Sequence, residues 1–173
     1  PVDDRDYDMI FICGEIISAA VMAHFLKREG IPAVGLTGAQ ALIYTDGHHG
    51  EADGGPGIRA GSQSHLKRGV VPVITGCQGV VRHTGDYTTL GRGGSDTSAV
   101  ALGVALNGSK VEIYPDVEGV ASADPRMVPQ AHLLERISYD KMYELARYGG
   151  KVIHHRAVRT GQEGGIPIVV RST

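Results

Sequence analysis

Several residue types that mark particular protein classes are scarce in this chain. Its 173 residues include two cysteines, no tryptophan and only 5% aromatic residues. So few aromatics disfavour a base-stacking surface for nucleic acid. A formal net charge of −2 gives no basic footprint for nucleic acid or an anionic membrane. Cys13 and Cys77 both lie in apolar segments and are predicted to be buried free thiols in a reducing compartment.

Long hydrophobic runs are also missing when the sequence is divided into its predicted segments. No run approaches the length of a membrane span, and the acidic N-terminal residues 3–8 do not resemble a signal peptide. The chain is 42% hydrophobic and 21% charged, which is ordinary for a soluble globular protein. We therefore expect one cytoplasmic domain.

Glycine is abundant, with 25 residues that cluster at expected turns. A strand over residues 7–12, a helix over 15–29 and a strand over 31–36 form a predicted βαβ unit, which favours a parallel sheet. The remaining predicted elements are strands 42–45, 70–75, 110–114 and 166–170, helices 62–68, 138–148 and 156–163, a hairpin or loop at 80–87, and a loop at 53–57.

The chain is organised around a glycine-rich loop at residues 88–96, which reads Thr-Thr-Leu-Gly-Arg-Gly-Gly-Ser-Asp. Ser95 is a predicted N-cap for the apolar helix that follows. Backbone N–H groups and the helix dipole at such a terminus favour an anion. Arg92 and Asp96 flank the loop, so it suits a carboxylate or a phosphate. A plain capping turn with a surface arginine remains an equal alternative on loop composition alone.

Two carboxylates follow predicted strands. Glu15 and Asp116 each come just after a strand end, where α/β folds place ligands. For Glu15, simple charge complementation of the first helical turn is a slightly better interpretation on this evidence alone. The pair His48 and His49 suggests a metal site, but adjacent histidines share no helical face and no third ligand is suitably spaced, so we do not favour one.

Six motifs in order resemble the aspartate kinases of the amino-acid kinase superfamily. The loop at 88–96 is that family's signature as it stands. Residues 76–79 resemble its Gly-Phe-Gln-Gly element, and residues 114–120 resemble its Tyr-Thr-Asp-Val-Asp-Gly-Val segment. Three further motifs follow in the family's order, at residues 123–126, 137–146 and 150–152.

The resemblance implies a carbamate-kinase-like fold, a three-layer α/β/α sandwich with a mainly parallel central sheet. It implies phosphorylation of the side-chain carboxylate of L-aspartate to 4-phospho-L-aspartate with ATP and Mg²⁺, the first step toward lysine, threonine and methionine. The only partners that the resemblance implies are this substrate and further copies of the chain in a homo-oligomer. The implied aspartate residues are Glu15, Arg92, Gly93, Ser95 and Asp96. The implied nucleotide residues are Tyr114, Asp116, Arg126 and Lys151, and the implied catalytic set is Arg92, Asp96 and Lys151.

The chain also departs from the family's pattern. The N-terminal Lys-Phe-Gly-Gly strand and the C-terminal ACT domains are absent from it, so residues 1–173 are expected to be the central and C-terminal part of the catalytic domain. Pro115 replaces a hydroxyl residue that normally contacts nucleotide, and Ala121 replaces a tyrosine. These departures leave open a degenerate relative that binds aspartate or nucleotide without catalysis or acts with a complete partner chain. A superfamily member that phosphorylates an acceptor other than aspartate is a third alternative, and we rank it below the aspartate kinase and below the degenerate relative.

Overall fold

The computed structural model describes residues 3–52, 62–91, 93–124, 126–149 and 152–172. The chain divides into two compact units, Pro1–Ser98 and Ala99–Thr173. The division falls within one helix, α3 (Gly94–Ala105). The predicted loop at residues 53–57 lies outside the described residues.

The first unit begins with a long helix, α1 (Asp4–Arg28). Asp3 caps it by accepting a hydrogen bond from the Asp6 amide at 2.8 Å, and Asp4 and Asp6 place negative charge in its first turn. Its buried residues, Asp8, Ile12, Ala19 and Ala23, recur at the spacing of one helical face. This face packs on strands β1 (Ala33–Leu36), β3 (Val71–Ile74) and β5 (Tyr87–Thr89) of the same unit.

Helix α1 corrects two expectations. The predicted strand at residues 7–12 is helical, so the predicted βαβ unit lacks its first strand. The acidic residues Asp3, Asp4 and Asp6 form the cap and first turn of this helix, and Gly14 lies within it, where a Cβ would meet nothing within 4 Å. Cys13, expected to be buried, is exposed on this helix, where its thiol donates to the Met9 carbonyl at 3.3 Å.

The expectation that no run approaches a membrane span is also wrong for α1. This helix has 25 residues and a mean hydropathy of 2.0 in its most apolar window, enough by length and composition to cross a membrane. Large apolar side chains are exposed along it. Its opposite face, however, carries the buried carboxylate of Asp8 and packs on the strands of unit 1, as a helix of a folded domain does. The exposed apolar residues are Tyr7, Met9, Ile10, Phe11, Ile17, Val21, Met22 and Phe25.

The other elements of unit 1 follow the predicted order. Strands β1 and β3 pair in parallel, with Ala33 opposite Val71. Strand β2 (Tyr44–Thr45) pairs in parallel with β4 (Gln78–Val81), and β4 turns back into antiparallel β5, so residues 80–87 contain the turn of a hairpin. A short helix, α2 (Gln63–Lys67), precedes β3.

Unit 2 holds a parallel pair of strands, β6 (Val111–Ile113) and β7 (Ile168–Val170). Helices α4 (Tyr139–Arg147) and α5 (His155–Gly164) pack on each other. Ser138 caps α4 by accepting from the Lys141 amide, as predicted. Among described residues of this unit the buried core is apolar and is centred on Val100, Ile113, Ile153, Val158 and Ile166.

Strand direction supports the predicted α/β class. Three of the four strand pairs between described residues are parallel, and only β4 with β5 is antiparallel. These pairs form three separate groups of hydrogen-bonded strands. The mixture of helices and mainly parallel strands is therefore confirmed.

Candidate active site

The glycine-rich loop leads from β5 into α3 through two left-handed glycines. Gly91 has φ of 74° and Gly93 has φ of 70°, a conformation that residues with a Cβ rarely adopt. The helix begins at Gly94, two residues earlier than the start at Asp96 that an N-cap at Ser95 predicts. Ser95 is therefore an exposed residue of the first turn and not the N-cap. Arg92 lies outside the described residues.

The turn at Cys77 packs against this loop and the start of α3 and forms hydrogen bonds with both. Cys77 has φ of 61°, and its amide donates to Ser98 Oγ at 3.2 Å while its thiol donates to the Gly91 carbonyl at 3.3 Å. A methyl group added at Gly94 would lie 2.5 Å from the Cys77 sulfur, so the contact requires glycine. Burial is the main cause that raises the pKa of the Cys77 thiol, which keeps this sulfur a neutral donor near neutral pH.

Glu15 and Ser95 converge on Gly76, in the turn after β3. A Cβ built on Gly76 lies 3.0 Å from Ser95 Cβ and 3.5 Å from Glu15 Oε2. Glu15 was predicted to follow a strand, but it lies within α1 and is half-buried. The structure therefore brings Glu15 beside the first turn of α3 from a helix. The absence of a side chain at Gly76 leaves the carboxylate and the helix terminus close together.

The other predicted residues of this loop also lie at the start of α3. Gly93 is exposed directly before the helix, and Asp96 is half-buried in its first turn. A carboxylate in the first turn interacts favourably with the helix dipole. The site in unit 1 thus combines two carboxylates, a hydroxyl and a helix N-terminus.

A third carboxylate, Asp8, was missed by the sequence reasoning. It is completely buried and accepts hydrogen bonds from Thr89 and His49. His48 instead contacts Asp46, with 2.7 Å between Nδ1 and Oδ2, so the two adjacent histidines serve different carboxylates. The spacing of Asp8 and Glu15, two helical turns apart, would have indicated a shared face had residues 7–12 been predicted as helix.

In unit 2 the predicted nucleotide residues lie near the end of β6 and in the segment beyond it. Asp116 is exposed shortly after this strand, as predicted. Tyr114 is exposed and its hydroxyl donates to Glu112 Oε2 at 3.0 Å. The hydrogen bond from Lys110 is the main cause that lowers the pKa of Glu112, and the hydrogen bond from Tyr114 is the second cause. Lys151 lies outside the described residues.

Arg126 forms a local bidentate ion pair. Its Nε and Nη2 atoms donate to the two carboxylate oxygens of Asp124 at 3.1 and 2.9 Å. This pairing raises the pKa of Arg126 and lowers that of Asp124. The guanidinium is therefore engaged by its neighbour, on an exposed loop.

Unit 2 also contains an open cavity of about 800 Å³. It lies between β7, the start of α4 and the segment over residues 133–137, and apolar side chains form most of its wall. Tyr114, Asp116 and Arg126 do not line it. The cavity therefore does not coincide with the nucleotide residues predicted from the motifs.

The fold and this loop-to-helix site define a class of protein. The model of the amino acid kinase family matches residues 2–172. The chain therefore belongs to the amino acid kinase family. A UMP kinase from Bacillus anthracis shares the fold, with a TM-score of 0.69 at 19% identity over 99% of this chain and 62% of that one.

Within the family, the chain is similar to aspartokinases. It is 44% identical to the aspartokinase of Corynebacterium glutamicum and 45% identical to that of Geobacillus stearothermophilus, over 98% of its own length in each case. The chain spans only 40% and 41% of these two relatives. Among solved structures, E. coli aspartokinase III in complex with aspartate and ADP superposes with a TM-score of 0.88 at 30% identity, over 99% of this chain and 39% of that chain.

Proposed function

We propose that this chain is the central and C-terminal part of the catalytic domain of an aspartate kinase. The protein would transfer a phosphoryl group from ATP to the side-chain carboxylate of L-aspartate, as the first step toward lysine, threonine and methionine. The convergence of Glu15 and Ser95 at Gly76 carries the proposal. It is supported by similarity to aspartokinases along nearly the whole chain. We further propose a cytoplasmic protein that forms a homo-oligomer.

The proposed aspartate residues match the charges of an amino acid. Glu15 supplies a half-buried carboxylate that would accept hydrogen bonds from the substrate ammonium group. Arg92 would pair with the α-carboxylate, since a planar guanidinium suits bidentate contact. Gly93, Ser95 and Asp96 would complete the pocket. The N–H groups at the start of α3 would add positive potential.

The proposed nucleotide residues belong to unit 2. Asp116 would accept from ribose hydroxyls, Tyr114 would contact the nucleoside, and Arg126 and Lys151 would neutralise phosphate charge. An acceptor for the ribose, an aromatic ring and two cations fit a nucleoside triphosphate, and Asp116 and Tyr114 are exposed as a ligand requires. ATP would supply the phosphoryl group and Mg²⁺ would offset part of its charge.

Catalysis in this account depends on positioning and charge. Bringing a carboxylate to a phosphoryl group places several negative charges together, so the protein must supply orientation and positive potential rather than a nucleophile of its own. Arg92 and Lys151 are the proposed cations for this task. Asp96 would orient the pocket around the substrate.

The proposal is tested by trapping the product as its hydroxamate. The chain is incubated with L-aspartate, Mg²⁺, ATP and hydroxylamine, with D-aspartate and L-glutamate as control acceptors. We expect hydroxamate to form with L-aspartate and with neither control acceptor, and we expect Arg92→Ala to abolish this product. Absence of both product and calorimetric binding of L-aspartate would contradict the proposal.

A second candidate is a relative that binds aspartate or nucleotide without turnover. Pro115 favours it, because proline lacks the hydroxyl group that this position carries in the resembling family. Binding of L-aspartate together with no hydroxamate would identify this second function. Restoring a hydroxyl with Pro115→Thr distinguishes the two further, since a gain of product would assign the defect to this position.

A further inference from the structure

The buried carboxylate of Asp8 connects α1 to the start of the signature loop. The side chain is 0% exposed and receives three donors. These are Thr89 Oγ1 at 2.5 Å, His49 Nδ1 at 2.8 Å and the Gly50 amide at 3.1 Å. Hydrogen bonds to an ionised group are stronger than neutral ones, and a buried carboxylate requires them.

These donors belong to the two segments that hold the loop. Thr89 is the last residue of β5, directly before Leu90 and Gly91. His49 and Gly50 lie in a neighbouring turn, where the Gly50 carbonyl is 3.3 Å from a Cβ built on Gly91. The Ala52 amide closes the same arrangement by donating to the Thr89 carbonyl at 2.8 Å.

Asp8 shares a helix face with Glu15. The two carboxylates are seven residues apart, which is two helical turns and about 10 Å along the axis. Asp8 binds Thr89, just before the loop, while Glu15 Oε2 and Ser95 both lie within 3.5 Å of a Cβ built on Gly76. One helix therefore contacts the segment before residues 90–94 and also places Glu15 near the residue that follows them.

We propose that Asp8 is a positioning residue that holds the signature loop in register with Glu15. It does not touch the substrate in this account. It acts through its hydrogen bonds to Thr89 and to the turn at His49 and Gly50. These bonds keep the start of α3 at the distance from the Glu15 carboxylate at which both can contact one small ligand. The consequence for aspartate affinity rests on the proposed function.

The variants separate this role from simple stabilisation. Asp8→Asn keeps the size but replaces one acceptor oxygen with a donor that faces the existing donors. Thr89→Val removes one hydroxyl, and Thr89→Ser restores it. Asp86→Asn is the matched control, because Asp86 is bound by Arg5 of the same helix at 2.8 Å in an exposed pair.

Two measurements are made on the whole chain at a temperature where circular dichroism shows each variant folded. The first is the Kd for L-aspartate by calorimetry. The second is the rate of iodoacetamide labelling at Cys77, whose thiol contacts Gly91 of the loop, with exposed Cys13 as an internal reference. The labelling rate reports the loop without any ligand. The two Thr89 variants carry this readout, because the charge of Asp8 itself contributes to the raised pKa of Cys77 and its loss alone would speed labelling in Asp8→Asn.

The proposal predicts that Asp8→Asn weakens aspartate binding about tenfold, the size expected for losing a hydrogen bond to a charged group. The same variant labels faster at Cys77 and unchanged at Cys13. Thr89→Val shifts both measurements in the same direction, whereas Thr89→Ser and Asp86→Asn stay within about twofold of the starting protein. If Asp8→Asn does not fold, the contrast between the two Thr89 variants decides.

Unchanged affinity and unchanged Cys77 labelling in Asp8→Asn and Thr89→Val would overturn the proposal, even if both variants unfold at lower temperature. If the starting protein binds no L-aspartate, the proposed function fails. The Cys77 labelling rates then decide the positioning role by themselves. The two failures are therefore distinguishable.

Discussion

The two units of the chain bury different kinds of residue. The buried polar side chains among described residues, Asp8, Ser62, Thr75, Gln78, Thr88, Thr89 and Ser98, all belong to the first unit. The buried core described in the second unit is apolar. Its described nucleotide residues, Tyr114, Asp116 and Arg126, are exposed, and Tyr114 and Arg126 pair with neighbours in sequence.

This difference teaches where preorganisation resides. In unit 1, contacts distant in sequence hold the loop in place before any ligand arrives, such as Thr89 to Asp8 and Cys77 to Gly91. Buried hydrogen bonds such as those of Asp8, Thr89 and Cys77 rigidify a site. The network is not complete, since among the described residues Ser62 Oγ, Thr75 Oγ1 and Gln78 Nε2 of the same unit are buried without a hydrogen-bond partner. In unit 2 the exposed ion pair of Arg126 with Asp124 would have to open before Arg126 could bind phosphate as proposed, so we expect that side to adapt to its ligand.

The largest expected effect is the loss of the buried carboxylate in unit 1. Asp8→Ala leaves three buried donors without an acceptor and should lower the free energy of unfolding by roughly 3–5 kcal/mol. Urea denaturation followed by far-UV circular dichroism measures this. Asp86→Ala, which removes an exposed carboxylate contacting the same helix, should leave the stability nearly unchanged. Equal losses in both variants would contradict the difference between buried and exposed pairs.

Truncation of the apolar core tests unit 2. Ile153 is 4% exposed, and Ile153→Ala should lower the free energy of unfolding by about 2–4 kcal/mol through lost burial and a cavity. Met127→Ala is the control, since Met127 is 82% exposed. A loss at Met127 as large as that at Ile153 would show that this core is placed wrongly.

Two helical glycines are expected to respond in opposite directions. At Gly94 a methyl group would meet the Cys77 sulfur at 2.5 Å and Leu90 Cβ at 3.0 Å, so Gly94→Ala should cost about 1–3 kcal/mol of unfolding free energy. At Gly14 nothing lies within 4 Å, so Gly14→Ala should add about 0.5–1 kcal/mol. Thermal unfolding of both variants checks the signs, and a shared sign would refute the packing described at Gly94.

The smallest effect concerns the two thiols. Burial raises the pKa of Cys77, so less of it is thiolate at a given pH and its labelling should be slower than that of exposed Cys13. Because its pKa is raised, the Cys77 thiol is still gaining thiolate at pH values where an ordinary cysteine is already ionised. Its labelling rate should therefore still rise with pH there, when the rate of an ordinary cysteine has levelled off. Peptide mapping after iodoacetamide pulses from pH 7 to pH 10 measures both rates. Faster labelling at Cys77 would contradict its burial.

Much of the fold could be predicted from local patterns. Strands β1, β3, β6 and β7 and the cap of α4 follow from apolar alternation and from Ser138, since these signals are local. Residues 7–12 could not be placed in the same way, because isoleucine and phenylalanine favour strands while the helix depends on Asp3 and on packing against β5. Tertiary contacts decided that segment.

The same limit applies to the candidate site. The loop and its glycines could be predicted because positive φ and a helix start leave a sequence pattern. The role of Asp8 could not be predicted from the sequence, since its partners His49 and Thr89 are 41 and 81 residues away. The sequence named Glu15 as a candidate, but its helical setting and its position near Gly76 and Ser95 depend on the fold. Its assignment to aspartate remains a prediction.

The most direct test of the account is calorimetric titration of L-aspartate into the chain and into Glu15→Gln, with Glu29→Gln, at the C-cap of the same helix, as the control. The account predicts that the starting protein and Glu29→Gln bind alike, while Glu15→Gln binds at least about tenfold more weakly because a charged hydrogen bond is lost. Equal affinity in all three proteins, or no binding to any of them, would contradict an aspartate site built from Glu15 and the start of α3.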